Sequence, residues 1–159
     1  MASSQKNLSS YSEKNIVDMS TKVFAIVVSE WNESVTEALY QGAYDTLREH
    51  GASKEHIIRK DVPGSFELPL AAQWMASDDN IDAVICLGCV IQGETRHFDF
   101  ICDAVAQGIK DVNLKFNKPV IFGVLTPDTQ QQALDRAGGK HGNKGDEAAI
   151  TAIKMLGIK

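Results

Sequence analysis

A chain of 159 residues with 43% hydrophobic content has the size of one compact domain, long enough to bury roughly two-thirds of the surface its unfolded form exposes. Its 16 basic residues against 21 acidic ones leave a net charge of -5, with no basic field to attract nucleic acid or an anionic membrane. No apolar run approaches the ~20 residues of a membrane span, and the polar opening MASSQKNLSSYSEKNIVDMS lacks the apolar centre of a secretory signal, so a cytoplasmic protein is expected.

A polar arm over residues 1–21 precedes a single domain over 22–159. KVFAIVVS, from Lys22 to Ser29, is a short β-branched apolar run and predicts a strand. Val35, Leu39, Ala43 and Leu47 follow at helical spacing until Gly51 stops the helix. The alternation repeats with HIIRKDV as a strand, FELPLAAQWMAS as a helix, AVICLGCVI as a strand, FDFICDAVAQGIKDVNLKF as a helix and PVIFGVLT as a strand. Helices over Gln130 to Ala137 and Asp146 to Leu156 close the chain. Strands apolar on both faces and separated by helices predict a three-layer α/β sandwich around a parallel sheet.

In such sheets ligands gather at the carboxyl ends of the strands, where loops lead into helix N-termini. The four loops concerned are SEWNES (29 to 34), VPGSFE (62 to 67), QGETRH (92 to 97) and TPDTQ (126 to 130). Trp31 lies in the first, Phe66 beside Glu67 in the second, and Glu94, Thr95 and His97 in the third. His97 opens a helix just beyond a strand end, where proton transfer would be useful. Trp31 and Phe66, ordinarily core residues, stand where they can wall a flat heterocycle. Near the C-terminus RAGGKHGNKG adds Arg136, Lys140, His141 and Lys144 to a flexible, basic, glycine-rich segment, of which Arg136 presents a planar fork suited to phosphate oxygens.

Two motifs mislead. Cys86-Leu87-Gly88-Cys89 is formally a C-x-x-C, but residues three apart on a strand point to opposite faces and cannot share a metal or a disulfide. With Cys102 they form an odd set of free thiols. GGKHGNKG departs from the phosphate-loop pattern, since Gly145 follows Lys144, and strand one is followed by no dinucleotide fingerprint.

VPGSFELP, GCVIQGETRHFD, PVIFGVLT and RAGGKHGNKG, in that order and spacing, make the chain from about Lys22 onward resemble the lumazine synthase family. The resemblance implies a flavodoxin-like fold with a four-stranded parallel sheet, and condensation of 5-amino-6-(D-ribitylamino)uracil with 3,4-dihydroxy-2-butanone 4-phosphate in riboflavin biosynthesis. Neither metal nor organic cofactor is implied, because the substrate amine is itself the nucleophile. By the same resemblance His97 is the catalytic proton shuttle, and Glu94, Thr95 and Arg136 hold the phosphate. Trp31 stacks on the pyrimidine, Ser65, Phe66 and Glu67 hold the ribityl chain, and Cys89, Val90 and Ile91 read the pyrimidine edge. Phe122 comes from a neighbouring subunit, and Lys144 and Glu147 are further polar site residues. Gln92 departs from the family, which often has arginine there. The resemblance also implies a homo-pentamer with shared sites and an N-terminal arm that adds a strand to a neighbour's sheet; some members of the family stop at the pentamer, and the short, uninterrupted RAGGKHGNKG favours packing into a 60-subunit icosahedral shell that could enclose riboflavin synthase. A non-catalytic flavin- or lumazine-binding module and a purely structural shell protein are the alternatives.

Overall fold

The structure, a computed structural model, describes residues 18–158; most of the arm, with its expected strand addition, lies outside the described residues. The chain runs β1 (Phe24–Ser29), α1 (Glu33–Glu49), β2 (Ile57–Val62), α2 (Leu68–Ala76), β3 (Ala83–Cys89), α3 (His97–Phe116), β4 (Val120–Leu125), α4 (Gln130–Leu134), β5 (Ala137–Gly139), β6 (Gly142–Asn143) and α5 (Lys144–Leu156). Four strands form a parallel sheet in the order β2-β1-β3-β4, as expected for the flavodoxin-like fold. None of the described helices is long and apolar enough to cross a membrane.

Side-chain alternation divides the core into two layers. Phe24, Ile26, Val28, Ile85 and Leu87 meet Val35, Leu39 and Leu47 of α1 and Ala149 and Ile153 of α5 on one face. Ala25, Val27, Val84 and Cys86 meet Leu68 and Ala72 of α2 and Val105 and Ile109 of α3 on the other. β1 and β3 are buried at every position, because each has a strand on both sides and helices above and below. β2 lies at the sheet edge, where Lys60 and Asp61 are exposed, so the expectation of strands apolar on both faces fails there.

The order places β1 and β3 side by side while their following crossovers leave in opposite directions, which opens a crevice between the two strand tips. Parallel pairing sets all four strand ends on one edge of the sheet.

The basic C-terminal segment is more ordered than its composition predicts. The helix expected over Gln130 to Ala137 stops at Leu134, and Ala137 pairs with Asn143 across an antiparallel hairpin. Gly138 and Gly142, at φ 105° and 74°, supply the left-handed backbone that this reversal needs. Asn143 then starts α5 two residues earlier than expected by accepting a hydrogen bond from the Gly145 N–H at 2.8 Å, and its Nδ2 donates to the Ala38 carbonyl of α1 at 2.8 Å. At that crossing a Cβ on Gly145 would lie 1.9 Å from the Leu39 carbonyl oxygen. Gly145→Ala therefore forces α1 and α5 apart and should cost about 3 kcal/mol, the upper end of overpacking effects, measured by urea unfolding.

Candidate active site

A cavity of about 550 Å³ opens at the crevice between the tips of β1 and β3. Trp31 and Asn32 from the first loop line it, with Gly64 through Glu67 from the second, Cys89, Val90 and Ile91 from the end of β3, and His97 and Ile101 from α3. Seven of these were expected from the family pattern besides His97: Trp31, Ser65, Phe66, Glu67, Cys89, Val90 and Ile91.

The loops are tied to one another rather than left as free connectors. Glu30 N–H donates to the Val62 carbonyl at 2.8 Å and Trp31 N–H to the Pro63 carbonyl at 3.2 Å, joining the first loop to the second. Asn32 takes a left-handed backbone at φ 61°, which asparagine tolerates, and its Nδ2 donates to the Cys89 carbonyl at 2.9 Å. The Gly64 N–H donates to the Glu67 carboxylate at 3.0 Å, which holds that charge at the cavity wall. Val90 and Gln92 donate to the carbonyls of Leu125 and Pro127 at 2.8 and 3.0 Å, so the chain stays extended past the end of β3. Trp31 is 71% and Phe66 57% exposed, which places two large apolar faces at the rim rather than in the core.

His97 is exposed at the first position of α3, with its N–H 3.4 Å from Thr95 Oγ1. Glu94 and Thr95 are exposed beside it and line neither this cavity nor the larger one. Arg96 pairs with Asp99 at 3.6 Å in full view of solvent.

The cysteines behave as the strand geometry predicts. Cys86 packs in the α2/α3 layer and Cys89 in the α1/α5 layer, on opposite faces of β3. Burial pushes both thiols up to about 12, and it raises the Cys102 thiol as well. All three are protonated at neutral pH and none has thiolate character. Iodoacetamide at pH 8 should label Cys102, the least buried, well before the other two, with the order read by peptide mass spectrometry.

Arg136, Phe122, Lys144 and Glu147 lie elsewhere. They line a second cavity of about 780 Å³ along the open edge of β4, between α3 and α5. Phe122 is 44% exposed there. Arg136 Nη1 donates to the Gln132 carbonyl at 3.0 Å, and Lys144 Nζ lies 2.5 Å from Glu147 Oε1 with both side chains about one-fifth exposed. Within one chain, then, the imidazole and the guanidinium face different cavities.

Asn32, Gly64 and Ile101 also line the cavity, though the family pattern does not single them out. The signal for Asn32 was its place just before a helix, where asparagine is favoured. Ile101 stands four residues after His97 and so shares its helix face.

The family model for 6,7-dimethyl-8-ribityllumazine synthase matches residues 21–159. A 6,7-dimethyl-8-ribityllumazine synthase of Cytophaga hutchinsonii is 69% identical over 98% of each chain. Those of Parabacteroides distasonis and Flavobacterium johnsoniae are 53% and 55% identical, over 98% and 100% of this chain and 98% and 84% of their own. A match spanning the whole folded domain, with relatives alike at more than half of their aligned positions, means that the chain belongs to the 6,7-dimethyl-8-ribityllumazine synthase family.

Proposed function

We propose that the protein condenses 5-amino-6-(D-ribitylamino)uracil with 3,4-dihydroxy-2-butanone 4-phosphate to 6,7-dimethyl-8-ribityllumazine, releasing phosphate and water. The observation that carries this reading is the pairing of chemistries in the cavity at the β1/β3 crevice: two aromatic faces, a fixed carboxylate and an imidazole within one hollow. The pyrimidine stacks on Trp31, with its edge toward Cys89, Val90 and Ile91, and the ribityl hydroxyls run toward Ser65, Phe66 and Glu67.

The substrate amine attacks the ketone carbonyl, and loss of water leaves an imine. His97 relays protons to the departing water and then from carbon as phosphate leaves, after which the ribityl-bearing amine attacks the remaining carbonyl and loss of a second water closes the lumazine. Glu94 and Thr95 stand at the N-terminus of α3, where free N–H groups favour the phosphate.

The phosphate also needs a cation, and the cavity with His97 contains no Arg or Lys among its lining residues. Arg136, with Phe122 and Lys144, reaches it from an adjacent copy whose β4 edge abuts this crevice. Such a head-to-tail contact closes as a ring, here a pentamer. Twelve rings form the 60-subunit shell, with riboflavin synthase as its cargo, in the cytoplasm.

Purified protein given both substrates should develop the lumazine absorbance with one phosphate released per turnover, and native mass should report a multiple of five chains. Tight lumazine binding without turnover would replace the enzyme by a binding module. Turnover by isolated monomers would remove the shared site.

A further inference from the structure

Two buried hydroxyls lie just behind the cavity wall. Ser29, at the tip of β1, is fully buried, and Ser65, which opens the one-turn helix Ser65–Glu67 before α2, is 5% exposed. Neither Oγ has a hydrogen-bond partner among the described residues, and both are sealed from solvent. Buried hydroxyls are ordinarily paired.

The two oxygens flank one point on β3. A Cβ built on Gly88 would lie 2.6 Å from Ser65 Oγ and 3.3 Å from Ser29 Oγ, so both border the space that the missing side chain at Gly88 leaves open. Leu68 Cδ1, 3.0 Å from the same point, is apolar and offers no bond. Both hydroxyl oxygens border that gap. A serine hydroxyl both donates and accepts, and one χ1 change between staggered wells re-aims it.

We propose that Ser29 is a positioning residue whose hydroxyl pairs with that of Ser65 across Gly88. The bond fastens the turn bearing Phe66 and Glu67 to the tip of β1, and so fixes where both side chains meet a polyhydroxylated ligand chain. The inference rests on the functional reading above. Ser29 itself touches no ligand.

Ser29→Ala should raise KM for the ribityl-bearing pyrimidine about fivefold, the size of one neutral hydrogen bond, with kcat unchanged. Ser65→Ala, which also alters the wall against the ribityl chain, should raise it at least as much. The double variant should be no worse than Ser65→Ala alone, because removing both partners leaves no orphaned hydroxyl. The same non-additivity should appear in urea-unfolding midpoints, which read the pair without turnover. An unchanged KM in Ser29→Ala, or effects that add in the double variant, would overturn the pairing. Failure of the wild-type protein to turn over would sink the functional reading alone, and the unfolding cycle would still decide whether the two serines are coupled.

Discussion

Replacing Arg136 by alanine should raise KM for the butanone phosphate by about 10- to 100-fold, the range that one charge-assisted hydrogen-bonded contact commands. Its guanidinium is half-buried and makes one bond to the Gln132 carbonyl, so the fold should survive, as circular dichroism would report. Lysine should recover only part of the loss, because an ammonium supplies charge without the planar fork. The pyrimidine substrate should bind almost as before. Equal weakening of both substrates would mean that Arg136 shapes the interface rather than grips phosphate.

His97→Ala should lower kcat by about 100-fold, the low end for a general acid-base residue. The loss is bounded because the condensation proceeds unaided once the two substrates are held together. KM values should change little, and added imidazole should restore part of the rate, since the variant leaves a gap the size of the lost ring in the cavity wall. Full activity in the variant would remove the proton relay from the mechanism.

The two variants together test the shared site. In a ring, chains lacking Arg136 still present His97, and chains lacking His97 still present Arg136. Co-refolding the two impaired proteins in equal amounts should therefore restore about a quarter of the sites, those whose two halves come from intact faces. No recovery in mixed rings would place both residues in one chain's site, although in the single chain they line separate cavities.

Most of the fold was legible because a buried parallel strand and an amphipathic helix have different periods. β1 and β3 are wholly buried, and their apolar runs stand out without any knowledge of the partner. The opposed cysteines followed from the two-residue repeat of a strand alone. The helix drawn through Ala137 failed because propensity cannot see Asn143 six residues on, whose pairing with Ala137 bends the chain into a hairpin. The edge position of β2, with its exposed Lys60 and Asp61, was hidden for the same reason: strand order is a non-local property.

Residue types at strand ends, read in sequence, determined which side chains could bear the chemistry, since loops that follow parallel strands must emerge on one edge of the sheet. Only the tertiary structure decided how they are grouped. The crevice between β1 and β3 collects Trp31, Phe66 and His97 into one hollow, whereas Phe122 on β4, an edge strand of the four-stranded sheet, and Arg136 after α4 line the other cavity. Distance along the chain carries no information about which face of a finished sheet a residue meets.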